Sequence, residues 1–276
     1  MNISKHLEAF TKEMERRNYS PATIKNYRSN LALFFSSFPK AEHPLHLNES
    51  NIKEYLGRFD EPNTQRSRHG AIKKFFEICL NQPDKFKHIP YCRKNKKLPI
   101  VLSQLEVQKM FDVCDNLKHK VILALLYSTG IRVSELINLK WEHLDRSRMV
   151  INIIQAKGNK DRQVGLSQEI IPLLEKYYHA YTPVEFVLNG QTELQYSSRS
   201  VGEVMKQLAS KAGINKRVYT HLMRHNCFTH MVEAGTDINL IQRIAGHSNV
   251  KTTAIYTHIS HNIISKAQSP ISNIRI

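Results

Sequence analysis

The sequence predicts a mainly α-helical protein with one small antiparallel β-sheet, divided into an N-terminal helical domain and a larger C-terminal domain. Apolar residues recur at the helical period of 3.6 over most of the chain. A single stretch, residues 149–154, is rich in β-forming residues, and residues 162–166 can pair with it after a Gly-Asn turn. The chain has 276 residues, 41% of them apolar, which is enough to bury a core in each domain.

Four short amphipathic helices are predicted in residues 1–90. Ser20 followed by Pro21 is a helix start signal, and Asn48 and Asn63 are expected to cap the third and fourth helices. The apolar faces comprise, in order, Ile3, Leu7, Phe10 and Met14; Ile24, Tyr27, Leu31 and Phe34; Ile52, Tyr55, Leu56 and Phe59; and Ile72, Phe75, Phe76 and Cys79. These faces predict a small helical bundle, which we assign to a domain of residues 1–90.

A basic segment without helical periodicity separates the two predicted domains. Residues 91–98 are rich in Lys and Arg and are followed by Pro99, a composition typical of an interdomain linker. We expect the boundary near Lys97, so that residues 99–276 form the second domain together with a C-terminal tail.

The second domain is predicted to be helical around its hairpin. Ser103 and Glu106 form a capping box, and residues 117–129 form a mostly apolar, buried helix that halts at Gly130. The hairpin carries Lys157 near its tip. Further helices are expected at residues 168–181, 198–212, 220–234, 237–245 and 249–257.

The charge of the chain predicts a polyanionic partner. Lys and Arg outnumber Asp and Glu by 40 to 24, and the pI is near 9.7. Residues 1–97 carry a net charge of +9 and residues 98–276 a net charge of +7, so both domains can grip the same polyanion. Double-stranded DNA is favoured as the partner, and an acidic membrane surface is the weaker alternative.

Membrane and secretory signals are missing from the sequence given. The longest apolar run, residues 121–127, falls well short of the ~20 residues that span a bilayer, and the N-terminus is polar and charged. The cysteines, Cys79, Cys92, Cys114 and Cys227, form no Cys-x-x-Cys pair, so we expect reduced and mostly buried thiols. A cytoplasmic protein without a membrane partner is therefore expected.

The C-terminal domain contains the side chains that metal-free cleavage of a phosphodiester needs: a nucleophile, cations for the phosphate oxygens and an acid for the leaving oxygen. Tyr256 is the candidate nucleophile. Arg132 and Arg224 can fork onto one phosphate, and His221 lies one helical turn before Arg224. Lys157 is the candidate general acid, because a hairpin tip can move into a site when DNA arrives.

Three segments around these residues resemble the motifs of the tyrosine recombinases of the phage integrase family. They are Thr-Gly-Ile-Arg-Val-Ser-Glu-Leu at residues 129–136, His-Leu-Met-Arg-His-Asn-Cys-Phe-Thr at residues 221–229, and Gly-His-Ser at residues 246–248 followed by Thr-Thr-Ala-Ile-Tyr at residues 252–256. A match to three motifs in order is specific. Met223 and Ala245 stand where the family usually has leucine, and we expect activity to survive these changes.

The resemblance also implies the DNA-binding surface. Residues 20–27, Ser-Pro-Ala-Thr-Ile-Lys-Asn-Tyr, are similar to the second helix of the family's core-binding domain, a less specific match than the three motifs. Residues 1 to about 95 would then grip one face of the duplex. The basic residues assigned to this contact are Lys25, Arg28, Arg66, Arg68, Lys73, Arg93, Lys94, Lys96 and Lys97.

The family mechanism implies a role for each catalytic residue. Those residues are Arg132, Lys157, His221, Arg224, His247 and Tyr256. Tyr256 would attack the scissile phosphate and form a 3′-phosphotyrosyl linkage, leaving a free 5′ hydroxyl. The two arginines would neutralise the phosphorane, Lys157 would protonate the leaving oxygen, His221 would exchange protons and His247 would hydrogen-bond the phosphate. Glu135 would support Arg132 without itself being catalytic.

The resemblance implies partners but no cofactor. One phosphate ester replaces another, so neither ATP nor another high-energy cofactor is required, in keeping with the missing nucleotide-binding Gly-x-x-x-x-Gly-Lys loop. Four protomers would synapse two DNA sites, and accessory DNA-bending proteins are candidate further partners. The tail of residues 258–276 either docks into a neighbouring protomer or folds back on its own domain.

Three other functions fit parts of the sequence. In a metal hydrolase, His221 and His225, with His230 beyond, would share a zinc ion, but Leu222 stands where a metalloprotease needs Glu and Arg224 would repel the cation. A type IB topoisomerase uses similar residues as a relaxing monomer. A catalytically silent DNA-binding protein would tolerate the loss of Tyr256.

Overall fold

The computed structural model describes residues 2–93, 100–154, 161–190 and 195–246, together with Thr253 and Tyr256. The chain divides into two units, Met1–Lys97 and Leu98–Ile276, and each unit has its own hydrophobic core. The mainly helical fold with a small antiparallel sheet that the sequence predicts is confirmed.

The described part of the first unit is a bundle of four α-helices. They are α1 (Ile3–Arg16), α2 (Pro21–Ser36), α3 (Glu49–Gly57) and α4 (Pro62–Cys79). Ser20 and Asn48 cap α2 and α3 as predicted. The predicted cap of α4 is wrong: Glu61, not Asn63, accepts a hydrogen bond from the Thr64 amide at 2.6 Å. Pro62 explains the shift of two residues, because its fixed φ suits the first helical position and so places the cap at Glu61.

The core of this bundle is aromatic. The Phe35 and Phe75 rings meet edge to face with 5.1 Å between their centroids, and both side chains are fully buried. Phe34 makes a similar contact with Tyr55 at 5.1 Å. Of the apolar residues expected to be buried, Ile3, Tyr27, Phe59 and Cys79 are only partly covered. The interlocked rings make α1, α2 and α4 a rigid support for the basic residues on their outer faces.

The second unit surrounds a buried central helix. Its helices are α5 (Gln104–Asp112), α6 (Leu117–Thr129), α7 (Val133–Ile137), α8 (Ile171–Tyr181), α9 (Ser198–Lys211), α10 (Thr220–Glu233) and α11 (Ile238–Ala245). After a polar first turn, helix α6 is buried on every side from Val121 to Leu126, and it packs against α10. The capping box of Ser103 and Glu106 and the bounds of α6 are as predicted. The expected helix at residues 168–181 opens instead with a 3-10 turn, Gln168–Ile170.

The small sheet has the order β1-β2-β3, with β1 at Leu144–Asp145, β2 at Val150–Ile153 and β3 at Arg162–Gly165. The predicted hairpin is confirmed, since β2 and β3 are antiparallel with Ile151 opposite Val164. Strand β1 was not predicted, because two residues carry no periodicity. The hairpin tip with Lys157 lies outside the described residues.

The end of α6 positions the candidate site. Gly130 has φ +62°, and its amide donates to the Leu126 carbonyl at 3.2 Å. A left-handed glycine ends the helix at this point and turns the chain sharply into α7.

Residues 249–257, expected to be helical, lie outside the described residues except for Thr253 and Tyr256, which are both helical.

Within the described ranges, no helix combines the length and the apolar character that crossing a bilayer requires. Cys114 and Cys227 are buried free thiols, whereas Cys79 and Cys92 are free thiols that are only partly covered.

Candidate active site

Arg132 stands at the corner between α6 and α7. It is the N-cap residue of α7, and its side chain is 24% exposed. Its backbone amide donates to Glu135 Oε2 at 2.7 Å and its Nη1 donates to Glu135 Oε1 at 2.8 Å. Glu135 therefore holds both the backbone and the guanidinium of Arg132, as the sequence suggested.

Glu135 is shared with a second arginine. Arg162, the first residue of β3, donates from Nη1 and Nη2 to the two oxygens of Glu135 at 2.8 and 2.7 Å. Burial acts to raise the pKa of Glu135, but the hydrogen bonds from Arg162 and from the Arg132 backbone outweigh burial and lower that pKa to about 2. Glu135 is therefore a carboxylate throughout the physiological range.

Arg224 lies on α10 and is 1% exposed. Its Nη1 donates to the Gly130 carbonyl and its Nη2 to the Ala245 carbonyl, each at 2.5 Å. Burial, followed by repulsion from Arg132, lowers the pKa of Arg224 to about 10, so the guanidinium remains charged at neutral pH. One side chain thus joins α10 to the Arg132 corner and to the last turn of α11.

Two histidines flank Arg224 on α10. The rings of His221 and His225 meet edge to face with 4.6 Å between centroids. Burial, with Arg224 and Arg132 nearby, lowers the pKa of His221. Burial, then the neighbouring His221, lowers the pKa of His225 to about 4. Both shifts favour the neutral ring at pH 7, and a pKa of about 4 makes His225 a weak proton acceptor.

Tyr256 lies against the same part of α10. It is 1% exposed, and its ring centroid lies 5.7 Å from that of His225 and 5.5 Å from that of Phe228. Burial raises the pKa of its hydroxyl, whereas Arg224 and, more weakly, Arg132 act in the opposite direction. The two arginines are the groups that can stabilise a developing phenolate or an adjacent phosphate.

Four of the six predicted catalytic residues are thus brought together. Arg132, His221, Arg224 and Tyr256 form one cluster in which each arginine acts electrostatically on the histidine and on the tyrosine. Lys157 and His247 lie outside the described residues. Sequence reasoning did not single out Arg162 or Phe228, and it considered His225 only as a zinc ligand of the metal alternative. His225 follows Arg224 directly in the second motif, so that motif was the available signal for it.

The predicted DNA-binding residues of the first unit fall into two groups. Lys25, Arg28 and Arg93 are exposed. Arg66 donates to the Cys92 carbonyl at 2.8 Å and lies over the Tyr91 ring, and Arg68 donates to Tyr55 Oη at 2.5 Å and lies 4.0 Å from the Phe59 ring centroid. Lys73 pairs with Glu77 at 3.7 Å. Lys94, Lys96 and Lys97 lie outside the described residues.

The ligand set of the metal alternative is not assembled. Within the described ranges, no group of three or more His, Cys, Asp or Glu side chains is arranged to hold a metal ion. His230 instead binds Tyr127 Oη at 2.8 Å through Nδ1 and the Leu102 carbonyl at 3.0 Å through Nε2. Its two ring nitrogens are therefore used to join α10 to α6 and to the start of the unit.

Comparison with known proteins identifies the class. The Phage integrase family matches residues 101–262, and the family "Phage integrase, N-terminal SAM-like domain" matches residues 6–85. The chain belongs to the phage integrase family and is a site-specific DNA recombinase of the tyrosine type.

Individual relatives cover nearly the whole chain. It is 34% identical over 270 residues to tyrosine recombinase XerA of Pyrococcus horikoshii, covering 92% of this chain and 89% of the relative. It is 32% identical over 272 residues to the putative integrase/recombinase y4qK of Sinorhizobium fredii, covering 95% and 87%.

Solved structures match both units. The crystal structure of XerA recombinase aligns with a TM-score of 0.57 at 27% identity, covering 96% of each chain. A lambda integrase dimer bound to a core site aligns with a TM-score of 0.77 at 15% identity, covering 92% of this chain and 94% of that one, which shows a shared fold.

Proposed function

We propose that this recombinase cuts and rejoins DNA through a 3′-phosphotyrosyl intermediate on Tyr256. The observation that supports this most strongly is the convergence of Tyr256, Arg132, Arg224 and His221 in one cluster, in which Tyr256 and Arg224 are buried, Arg132 is partly covered and His221 is exposed. Both guanidinium groups act electrostatically on Tyr256, and a phosphate placed between them would gain charge-assisted hydrogen bonds. Cleavage then needs only in-line attack and protonation of the leaving oxygen.

The hydroxyl of Tyr256 must be uncovered before it can attack, because the residue is 1% exposed. We propose that DNA binding opens this end of the cluster and brings the phosphate to the arginines. The phosphate would bind beside the Gly130 and Ala245 carbonyls, which keep the Arg224 guanidinium in place. His221 would accept the proton, as its lowered pKa leaves it mostly neutral at pH 7.

Lys157 and His247 complete the proposed site from outside the described residues. Lys157 would protonate the 5′ leaving oxygen, and the strand that follows it, β3, is anchored beside Arg132 through Arg162 and Glu135. His247 would hydrogen-bond the phosphate, and it directly follows Gly246 at the end of α11. Both roles are supported by the position of the residue in the sequence: Lys157 precedes β3, and His247 follows α11.

The first unit is the proposed core-binding domain, covering residues 1–90, with residues 91–98 as a linker. Lys25, Arg28 and Arg93 are the proposed phosphate contacts, since their side chains are exposed. Arg66, Arg68 and Lys73 already have partners within the unit, so they would contact DNA only through N–H groups that those partners do not use. We further propose that four protomers act together in a synapse, in the cytoplasm, with accessory DNA-bending proteins where the site requires them.

A library of nicked duplexes tests this function and finds the site at once. The wild-type protein is incubated with the library in EDTA, so that a metal-dependent hydrolase would be silent, and DNA that stays attached after denaturation in SDS is sequenced. We expect a single class of sequence, linked through its 3′ phosphate. The proposal fails if no DNA stays attached, or if Tyr256→Phe captures the same DNA.

A further inference from the structure

Arg162 is a buried hub that joins three elements of the second unit. Its side chain is 8% exposed. Nη1 and Nη2 bind Glu135 on α7, and Nε donates to the Ile244 carbonyl on α11 at 2.8 Å. These contacts bridge 27 and 82 residues of sequence. All three nitrogens of the guanidinium are engaged, so the group has one defined orientation.

The end of α11 is held by two guanidinium groups at consecutive carbonyls. Arg162 binds the Ile244 carbonyl and Arg224 binds the Ala245 carbonyl. Cations are favoured there, because the last carbonyls of a helix lack intrahelical partners and carry partial negative charge. Gly246 has φ +62°, and a Cβ added to it would lie 2.9 Å from Arg162 Cδ, so the arginine stem also requires glycine at this position.

The two guanidinium groups close a ring of contacts around the site. From the end of α11, Arg162 leads through Glu135 to Arg132. From the same helix end, Arg224 leads to the Gly130 carbonyl, two residues before Arg132. The end of α11 and the Arg132 corner are therefore fixed to each other by two independent routes, and this helix end precedes Tyr256 in the sequence.

We propose that Arg162 is a positioning residue for strand cleavage: it fixes the helix end that precedes Tyr256 at a set distance from the phosphate-binding Arg132. The inference rests on the proposed function and deepens it. Among the described residues, the side chain of Arg162 binds Glu135 and the Ile244 carbonyl, and it acts on the site through them. Its effect falls on the geometry of attack, where a misplacement of about 1 Å can cost about 100-fold in rate.

The fork of Arg162, rather than its charge alone, carries this role. A lysine has one nitrogen and cannot bind both oxygens of Glu135 together with the Ile244 carbonyl. Arg162→Gln removes charge and fork, whereas Arg162→Lys removes only the fork. Arg146→Gln is the matched control, because it deletes an ion pair with Glu175 in the same domain where both side chains are exposed.

The test measures cleavage and binding separately on the duplex recovered from the nicked library. With protein in excess, the rate of SDS-stable adduct formation is measured in a single turnover, and the dissociation constant is measured by titration. We expect both Arg162 variants to form the adduct ~10- to 100-fold more slowly while their dissociation constants change by less than about threefold. Arg146→Gln should match the wild type in both.

A pH series provides a signature that a general loss of stability would not give. In Arg162→Gln the burial of Glu135 remains while its largest stabilising partner is gone, so the pKa of Glu135 rises from about 2. Protonation of Glu135, which weakens its hold on Arg132, then begins at a higher pH than in the wild type. The ratio of wild-type to variant rate should increase from about pH 8 to about pH 5.

Several results would overturn the inference. One is a folded Arg162→Gln variant that forms the adduct within about fivefold of the wild-type rate. If that variant does not fold, the adduct rate of Arg162→Lys is judged by the same fivefold limit. A pH-independent ratio would contradict the route through Glu135. Failure of the wild type to form an adduct would instead refute the proposed function, so the two failures are distinguishable.

Discussion

Arg224 shows how a single residue serves both the fold and the chemistry. A fully buried guanidinium is costly unless its donors are paired, and two of them bind the carbonyls of Gly130 and Ala245. Both carbonyls sit at helix ends, which otherwise lack partners. The charge that a phosphate needs is thus held in place before DNA arrives, which removes the cost of ordering it during the reaction.

We predict that Arg224→Lys lowers both the stability and the rate of adduct formation, although it conserves the charge. Lysine keeps the charge, but one nitrogen cannot reach both carbonyls, so one of them is left unpaired at a cost of ~1–3 kcal/mol. Adduct formation should fall by ~100-fold or more, since a forked donor to the phosphate is lost. The measurements are single-turnover adduct formation and thermal unfolding.

Arg199→Lys, at an exposed position on α9, is the matched control for that substitution. It should leave the adduct rate and the unfolding temperature unchanged. A wild-type cleavage rate in Arg224→Lys would show that point charge suffices at this position and would remove the forked contact from the mechanism.

At the scale of the elements, the corner between α6 and α7 has the least freedom to change. A Cβ at Gly130 would lie 2.6 Å from the Phe228 ring, and the backbone there has φ +62°. Phe228 in turn contacts the Tyr256 ring. A single packing arrangement therefore joins the end of α6, the side of α10 and Tyr256.

Gly130→Ala should accordingly lower both stability and activity. Left-handed strain of ~1 kcal/mol and overpacking of ~1–3 kcal/mol predict a loss of ~2–4 kcal/mol in the free energy of unfolding. Gly213→Ala isolates the first effect, because Gly213 has φ +66° but nothing within 4 Å of its added Cβ. Urea denaturation gives both values, and equal losses in the two variants would show that the Phe228 contact is unimportant.

The sequence predicted elements well where local chemistry marks their ends. Helices α5 and α6 were predicted from the capping box at Ser103 and the glycine after Thr129, and the β2–β3 hairpin from the β-rich stretch around Ile151 with the Gly-Asn turn after it. Helix α7, with five residues, and β1, with two, are too short for any period to show. Short elements of this kind are set by tertiary packing, which a single sequence does not display.

For the candidate site, the sequence predicted the catalytic residues but not the residues that hold them in place. Motif spacing identified Arg132, His221, Arg224 and Tyr256, which the fold gathers. Arg162 was missed as a functional residue, because its partners lie 27 and 82 residues away and nothing in its neighbourhood signals them. The packing of Phe228 against Tyr256 was missed for the same reason.

For the whole molecule, the excess of positive charge is the property that matters most. The net charge of +16 is spread over both units, so each can contribute to holding a duplex. Exposed lysines and arginines release condensed counterions when they bind phosphates, which makes affinity depend steeply on salt. Sequence-independent binding should therefore be strong at low salt and weak at high salt.

Substitution of the exposed cations of α2 tests their part in this binding. Lys25→Gln and Arg28→Gln should each reduce the slope of log affinity against log salt by about 1 and weaken binding to all duplex sequences alike. Lys206→Gln, which removes an exposed lysine of α9 paired with Glu203, is the comparison. Titrations of an unrelated duplex at several salt concentrations give the slopes, and unchanged slopes would remove α2 from the DNA-binding surface.

Mapping the covalent linkage by mass spectrometry tests the central claim most directly. The wild-type protein is trapped on the recovered nicked duplex, digested with protease and nuclease, and searched for a peptide that carries a nucleotide. We predict a single modified residue, Tyr256, joined to a 3′ phosphate, and no modified peptide from Tyr256→Phe. A nucleotide on any other residue, or strand cleavage that continues in Tyr256→Phe, would contradict the account.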